Sequence, residues 1–271
     1  MGTKERFWLH VGPGKTGTTT IQRAFHASRK SLLDKGICYP HVPRNPHHDA
    51  RFAHHFLGHA LRADDFALIS MFLGKIPEVD DVVISSETLP NVPEPAYRTL
   101  EGLLAERFDV GVIYYVRDPV DRGDSLAQQM IKAGKRSLED LNQRPPTGAF
   151  RRQIETLVRV FGKERLHLRN FSRQALVEGD LLTDFTTVIG RPEIVSDLPR
   201  ENWNQSITLE AAQKIEAYRQ DTGDTSFINE RDTRFHGGST KFSLTDEAKQ
   251  RIRERMRDDL NWLETEFGIS F

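Results

Sequence analysis

The sequence predicts an α/β protein with three layers, α/β/α, in which helices cover both faces of a central, mostly parallel β-sheet. The first observation is an alternation of short apolar runs with helical patterns from Phe7 to about Gly190. Such alternation is typical of parallel strands that are joined by helices and buried on both faces. The second observation is the part from Thr208 onward, which carries only helical patterns. The expected fold is therefore a parallel sheet with a helical C-terminal part.

Four apolar runs are the predicted strands. They lie at 7–11, 81–86, 110–116 and 165–169. The run at 110–116 is rich in β-branched and aromatic residues, whereas 165–169 alternates as an edge or half-buried strand does. Ligands of parallel sheets bind at the carboxyl ends of the strands. We therefore expect the segments that follow the first three strands to converge on one site.

Seven helical patterns complete the prediction. They cover 18–34, 96–108, 120–133, 147–161, 180–189, 208–220 and 243–266. Ser243 and Asp246 have the spacing of a capping box, with Asp in place of Glu, which predicts that Ser243 caps the last helix. The polar stretch at 221–242 is a predicted long loop. Because no repeat or linker divides the chain, we expect a single domain over 1–271.

Composition restricts the classes of partner. The net charge of −1 produces no general attraction to nucleic acid or to an anionic membrane. The mean hydropathy is −0.54, and no stretch approaches the roughly 20 apolar residues that span a bilayer. Cys38 is the only cysteine, which excludes an intramolecular disulfide and fits a reducing compartment. We expect a cytoplasmic protein that binds no nucleic acid and does not span a membrane.

The turn between the first strand and the first helix is the most informative segment. It begins with Gly12-Pro13-Gly14, and a glycine turn at a helix N-terminus directs backbone N–H groups at an anion. A lysine adds a positive charge and three threonines add hydroxyl donors. The candidate anion-binding residues are Gly14, Lys15, Thr16, Gly17, Thr18 and Thr19. The segment predicts a phosphate-binding loop, and the alternative is a strand-to-helix turn without a ligand.

This loop differs from the nucleoside-triphosphate loop, G-x-x-x-x-G-K-[ST]. That pattern requires a glycine where this chain has Leu9, inside the predicted strand. The loop is shorter, and its small residues follow the lysine. The run from Lys15 to Thr19 resembles the 5′-phosphosulfate loop of sulfotransferases that use 3′-phosphoadenosine 5′-phosphosulfate (PAPS).

A second motif follows the third strand. Arg117 stands at the strand end, Pro119 suits the first turn of a helix, and Ser125 comes eight positions after Arg117. An arginine guanidinium and a serine hydroxyl are good hydrogen-bond donors to phosphate oxygens. This arrangement resembles the 3′-phosphate motif of the same family. The alternative is a local ion pair between Arg117 and Asp118, with Ser125 on a helix surface.

The resemblance to PAPS-dependent sulfotransferases implies a P-loop NTPase-like fold and PAPS as cofactor, with adenosine 3′,5′-bisphosphate as product. It implies that Lys15 contacts the 5′-phosphate and the bridging oxygen, and that Arg117 and Ser125 hold the 3′-phosphate. It also implies that a late glycine-bearing segment, here 234–242 with Gly238 and Ser239, closes over the cofactor. A plain mobile loop is the alternative for that segment.

Two departures restrict the branch of the family. Cytosolic aryl and steroid members usually have Trp after the threonine pair, where this chain has Thr20, and their late Arg-Lys-Gly signature is not present as such. These departures disfavour a phenol or steroid acceptor. They favour the bacterial and carbohydrate-type branch.

Glu87 is the predicted catalytic base. It follows the strand at 81–86, where the resemblance places a histidine in cytosolic members and a glutamate in several carbohydrate-type ones. A base for the acceptor proton and a cation at the leaving oxygen are what sulfuryl transfer requires. The alternative for Glu87 is a local cap or salt bridge.

A histidine-rich stretch is the rival for the base. Its members are His41, His47, His48, His54, His55 and His59. We interpret them mainly as structural or surface histidines, with a base or acceptor-site role as the alternative. His55 and His59 are four apart, a spacing that metal ligands use on helices, but no pattern of Cys, Asp or Glu accompanies them. We therefore predict no metal site and no metal requirement.

Taken together, the motifs predict in-line transfer of a sulfuryl group from PAPS to a hydroxyl or amine of a small-molecule or carbohydrate acceptor. Segments 41–74, 91–96 and 132–147 are the candidates for the acceptor pocket. The alternatives are a small-metabolite kinase that uses ATP and Mg²⁺, and a non-catalytic nucleotide-binding protein.

Overall fold

A computed structural model describes residues 4–42, 51–148, 150–200, 206–229 and 232–271. The chain forms two compact units. The sheet unit contains Met1–Val116 and Phe150–Glu201, and the helical unit contains Arg117–Ala149 and Asn202–Phe271. The single domain expected over 1–271 stays a prediction.

The sheet unit is built on five parallel strands in the order β2-β3-β1-β4-β5. Their bounds are β1 Glu5–Val11, β2 Ile37–Cys38, β3 Asp81–Ser86, β4 Phe108–Val116 and β5 Leu166–Asn170. The predicted parallel sheet is confirmed, with the weakly patterned β5 at one edge. The two-residue β2 was not predicted, because a strand of that length has no periodicity to detect.

Ten α-helices are present in the described residues. Their bounds are α1 Thr18–Leu33, α2 His55–Arg62, α3 Phe66–Leu73, α4 Glu94–Ala105, α5 Pro119–Lys132, α6 Leu138–Gln143, α7 Phe150–Phe161, α8 Leu181–Val188, α9 Leu209–Thr222 and α10 Asp246–Phe267. The seven predicted helices are all present, with small shifts at their ends. The three short helices α2, α3 and α6 were missed.

Apolar side chains cover both faces of the sheet. On one face, Trp8, Ile113 and Tyr115 pack in a cluster with buried residues of α1 and α8, such as Phe25 and Phe185. On the other face, helices α4 and α7 contact β4. The three-layer α/β/α class is therefore confirmed.

In the helical unit, α5 packs against both α9 and α10. Gly123 of α5 allows the close approach, since a Cβ at that position would lie 2.7 Å from Cδ1 of Ile252. The backbone N–H of Ile207 donates to Oε1 of Gln128 at 3.0 Å. This unit is the predicted helical C-terminal part, together with residues that follow β4. Across the described residues, no helix is both long enough and apolar enough to cross a membrane.

The predicted cap of the last helix at Ser243 is wrong. Asp124 accepts hydrogen bonds from the Ser243 hydroxyl at 3.1 Å and from the Leu244 N–H at 2.9 Å. The helix therefore begins later, and Oγ1 of Thr245 accepts from the N–H of Ala248 at 3.3 Å. The Ser243 hydroxyl, which a local capping box would use, thus binds a carboxylate that is more than one hundred residues away along the chain.

A buried carboxylate on α8 connects that helix to the sheet. Asp184 is fully buried and accepts a hydrogen bond from the Tyr115 hydroxyl at 2.8 Å and one from the Val177 N–H at 3.2 Å. It also forms an ion pair with Arg169 of β5. A buried charge of this kind is tolerated because the ion pair and the hydrogen bonds compensate for the loss of water.

We expect Asp184→Asn to destabilise the protein by about 3 kcal/mol, because Arg169 would keep a charge that has lost its buried partner. The free energy of unfolding in urea is the measurement. Asp109→Asn is the matched control, since Asp109 is an exposed carboxylate on β4 of the same sheet. Equal stabilities of the two variants would contradict the role given to Asp184.

Candidate anion-binding site

The loop between β1 and α1 has a strained backbone. Lys15 and Gly17 both have a φ of 74°, in the left-handed region. A side chain at Gly17 would overlap Cδ2 of Leu181 and would lie 3.0 Å from Cε2 of Phe171, so only glycine fits there. A left-handed lysine costs roughly 1 kcal/mol or more, and such strain occurs most often at functional sites. Gly17 is also the N-cap of α1 and supplies no side-chain cap. The first N–H groups of the helix are thus left to other partners.

The threonine hydroxyls of the loop differ in their surroundings. The Thr16 hydroxyl is buried and donates to the Pro13 carbonyl at 2.7 Å, which closes the turn. Thr18 is 1% exposed, and its Oγ1 has no hydrogen-bond partner within the described residues. Gly14, Lys15 and Thr19 are half-buried. Of the six predicted residues, 14–17 therefore lie in the turn and 18–19 begin α1, and the hydroxyls of Thr16 and Thr18 differ in their hydrogen bonding.

Glu87 lies beside this loop. A Cβ at Gly14 would be 3.6 Å from Oε2 of Glu87, and the carboxylate is half-buried. The pairing of Val11 with Ser86 brings the ends of β1 and β3 to the same level, so the residues after them become neighbours. The role of Glu87 as a base stays a prediction.

Beneath the loop, Ser85 of β3 is the centre of a buried polar network. Its Oγ lies 2.8 Å from Nδ1 of His10 and accepts from Nε2 of Gln22 at 3.2 Å. Its backbone N–H donates to Nδ1 of His54 at 3.2 Å, and its carbonyl accepts from the His54 N–H at 2.9 Å. Nε2 of His54 bonds to the Pro40 carbonyl at 3.1 Å. His54 therefore has the structural role that we predicted for most of these histidines.

The remaining histidines of the stretch are divided. Nδ1 of His55 lies 3.0 Å from the Ser86 hydroxyl, which also bonds to Thr88. Nδ1 of His59 instead accepts from Arg62 at 3.0 Å. His41 is exposed, and His47 and His48 lie outside the described residues. No cluster of three or more His, Cys, Asp or Glu side chains that could hold a metal ion is present in the part of the chain that the structure describes.

His10 is the site residue that sequence reasoning missed. It is fully buried in β1, and its ring contacts the rings of Tyr115 and Phe185 at centroid distances of 5.8 and 5.4 Å. Burial lowers its pKa to about 3. The available signal was a single polar residue in an apolar strand directly before a glycine turn.

The second motif belongs to the helical unit. Arg117 directly follows β4, and Oδ1 of Asp118 caps α5 by accepting from the N–H groups of Val120 at 2.7 Å and Asp121 at 3.0 Å. Burial lowers the pKa of Arg117, and nearby carboxylates, with Asp121 the largest contributor, oppose the shift. Ser125 is half-buried on α5, about two turns after the cap. Asp118 thus serves as a helix cap, and the phosphate roles of Arg117 and Ser125 stay predictions.

The glycine-bearing segment 234–242 is held against the start of α9. The Thr208 hydroxyl donates to the Gly237 carbonyl at 2.6 Å, and the Thr240 hydroxyl donates to Oε1 of Glu210 at 2.6 Å. Gly238 and Ser239 lie between these anchors and are exposed. Their role in cofactor binding stays a prediction.

The fold resembles that of a solved sulfotransferase structure. A sulfotransferase from Alicyclobacillus acidocaldarius matches with a TM-score of 0.51 at 13% sequence identity, over 100% of this chain and 98% of that one. Retinol dehydratase in a complex with retinol and PAP gives a TM-score of 0.31 at 11% identity, over 100% of this chain and 83% of that one. The second score is too low to indicate a common fold. No protein-family model and no curated protein matches the chain. The chain therefore has a fold similar to that of the Alicyclobacillus sulfotransferase.

The two buried histidines of the site predict a loss of stability at acid pH. Burial lowers the pKa of His10 to about 3 and that of His54 to about 4, from an ordinary value of 6.5. Between these values the unfolded chain binds protons that the folded protein does not. The free energy of unfolding therefore falls as the pH decreases from 6.5, by up to about 1.4 kcal/mol per pH unit for each histidine.

We expect His10→Phe, which keeps an aromatic ring, to have a shallower pH dependence than the unsubstituted protein. Urea unfolding between about pH 7 and pH 5 measures both slopes. Identical slopes would mean that His10 is protonated without cost in the folded state.

Proposed function

We propose that the chain is a sulfotransferase that moves a sulfuryl group from PAPS to a hydroxyl or amine of a small-molecule or carbohydrate acceptor. The observation that carries this proposal is the short distance between Glu87 and the loop that contains Lys15. Oε2 of Glu87 is 3.6 Å from the position of a Cβ on Gly14, the residue before that lysine. A cation and a carboxylate at the same end of one sheet are the two charges that the reaction requires.

The loop residues fit an anionic group. The N-terminus of α1 has no side-chain cap, Lys15 carries a positive charge, and the buried Thr18 hydroxyl has no hydrogen-bond partner in the described chain. Backbone N–H groups at a helix N-terminus and a nearby lysine are the donors that hold phosphate or sulfate. We therefore assign the 5′-phosphosulfate to Gly14, Lys15, Thr16, Gly17, Thr18 and Thr19. Thr16 is assigned through its backbone N–H, because its hydroxyl donates to Pro13.

When it is bound, PAPS supplies a sulfuryl group attached to a phosphate leaving group. Lys15 stabilises the negative charge that develops on the bridging oxygen, and the hydroxyls and N–H groups of the loop keep that phosphate in line with the acceptor. Oε2 of Glu87 accepts the proton that the acceptor hydroxyl or amine loses. These roles need no metal ion, because the sulfuryl group carries less charge than a phosphoryl group.

The remaining assignments rest on the sequence motif. Arg117 and Ser125 are assigned to the 3′-phosphate, and Gly238 and Ser239 to the segment that covers the cofactor. Serine hydroxyls rather than an acidic side chain end β3, and both are engaged by protein partners, Ser85 by His10 and Ser86 by Thr88. This arrangement disfavours the magnesium-dependent kinase alternative. We further propose a cytoplasmic protein of the bacterial and carbohydrate-type branch.

Ligand-dependent melting tests the cofactor class. We expect adenosine 3′,5′-bisphosphate to raise the melting temperature without Mg²⁺, since a ligand at about 100 times its Kd adds about 2.7 kcal/mol. ADP and ATP, which lack the 3′-phosphate, should have much smaller effects. Lys15→Met should weaken the response to every phosphate ligand, whereas Arg117→Ala should remove the preference for the 3′-phosphate. A preference for ATP with Mg²⁺ would overturn the proposal in favour of a kinase.

Turnover by a Glu87→Gln variant tests the base. We expect a decrease in kcat of about 10²- to 10⁴-fold, the range that general bases contribute, with the affinity for adenosine 3′,5′-bisphosphate unchanged. The reaction to follow is transfer from PAPS to a panel of sugar and small-molecule hydroxyls. Glu106→Gln is the matched control, because Glu106 is an exposed carboxylate at the end of α4. Full activity of Glu87→Gln would remove the base assignment and leave the cofactor assignment standing.

A further inference from the structure

Two buried polar atoms flank Gly12 at the base of the loop. His10 is 0% and Thr18 is 1% exposed, and neither Nε2 of His10 nor Oγ1 of Thr18 has a hydrogen-bond partner in the described residues. Leaving a buried polar atom without a partner costs roughly 1–3 kcal/mol. Native proteins keep few such atoms, and each one requires an explanation. Two of them on either side of one glycine point to a common cause.

The network below the loop is compatible with a His10 ring that carries its proton on Nε2. Nε2 of Gln22 donates to the Ser85 hydroxyl oxygen, so the hydroxyl proton is free to point at Nδ1 of His10, 2.8 Å away. Nδ1 then accepts, and the neutral ring carries its proton on Nε2. Burial lowers the pKa of His10 to about 3, so the ring is neutral near pH 7. His10 thus presents an N–H donor to the base of the loop.

This donor lies on the side of Thr18 that carries the methyl group, and it makes no hydrogen bond with the Thr18 hydroxyl. A Cβ at Gly12 would lie 3.2 Å from Nε2 of His10 and 2.6 Å from Cγ2 of Thr18, so the imidazole edge and the threonine methyl group border the same point. Oγ1 and Cγ2 are attached to the same carbon, and a rotation about χ1 puts the hydroxyl where the methyl group lies. Threonine in helices populates two χ1 rotamers. A change of rotamer would therefore turn the Thr18 hydroxyl toward the side on which the His10 ring lies.

We propose that His10 is a positioning residue of the anion site and acts through Thr18. With an anion in the loop, Nε2–H of His10 donates to Oγ1 of Thr18, and the Thr18 hydroxyl proton is left to point at the anion. A hydroxyl that accepts one hydrogen bond becomes a stronger donor in the next. Glycine at position 12 leaves room for the two side chains to approach each other, since a Cβ there would press on both of them. The proposal rests on the proposed function only in requiring that the loop binds a phosphate or sulfate group.

Nitrogen-15 NMR of the histidine side chains tests the pair directly. We expect the His10 ring to be the Nε2–H tautomer, and its Nε2 resonance to shift when adenosine 3′,5′-bisphosphate or inorganic phosphate is added. Thr18→Ser should keep this shift, and Thr18→Val, which removes only the hydroxyl, should abolish it. Thr20→Val is the matched control, since it removes a hydroxyl from the same first turn of α1, two positions after Thr18. An unshifted His10 resonance with bound phosphate, or an equal shift in Thr18→Val, would overturn the proposal.

A double-mutant cycle on binding gives an independent measure. We expect Thr18→Val to weaken the affinity for adenosine 3′,5′-bisphosphate about tenfold, the loss of one hydrogen bond to a charged group, and His10→Phe to weaken it several-fold. The double variant should be no weaker than Thr18→Val alone, because His10 acts only through that hydroxyl. Multiplied losses in the double variant would contradict the proposal. If His10→Phe does not fold, the NMR series on the Thr18 variants decides the question.

The two probes separate this inference from the proposed function. A His10 shift with inorganic phosphate and no binding of the adenosine bisphosphate would support the His10–Thr18 pair and overturn the use of PAPS. Tight binding of the bisphosphate with an unshifted His10 resonance would support the use of PAPS and overturn the His10–Thr18 pair. Failure of both ligands to bind would overturn both proposals.

Discussion

The parallel pairing of β1 with β3 determines which residues meet at the carboxyl edge of the sheet. In this register His10 lies opposite Ser85 and Val11 lies opposite Ser86, so the loop after Val11 emerges beside Glu87. Because side chains alternate along a strand, a slip of one residue would move His10 to the opposite face of the sheet. The apolar clusters on both faces make such a slip costly, and they hold the register on which the site depends.

The loop also depends on the layer that lies against it. Gly17 packs so closely on Phe171 and Leu181 that no side chain fits, and Leu181 is the first residue of α8. Asp184, on the same helix, binds Tyr115 of β4 and Arg169 of β5. The buried ion pair of Asp184 therefore anchors the helix whose first residue packs against the left-handed Gly17. Stability and the conformation of the loop are linked through that helix.

Sequence patterns were informative where local physics decides the structure. The long strands and the glycine turn were recognisable because buried strands require apolar residues and a tight turn requires glycine. The missed features depend on distant contacts. The capping role of Ser243 was lost to Asp124, and His54 pairs with Ser85 at the edge of β3, where β2 has already ended. Neither contact leaves a periodic pattern, so a single sequence offers no means of deriving them.

The threonines of the loop show that residues of one sequence motif can differ in their hydrogen bonding. Thr16 and Thr18 are both buried and belong to the same short run, yet the hydroxyl of Thr16 bonds to Pro13 while that of Thr18 has no partner within the described chain. The first hydroxyl closes the turn and stabilises the loop before any ligand arrives. The second has no such bond in the described chain, at a cost in stability, and both the proposed anion site and the proposed contact with His10 depend on it. A sequence motif gives both residues equal weight, and only their buried surroundings separate the structural threonine from the one that is available for binding.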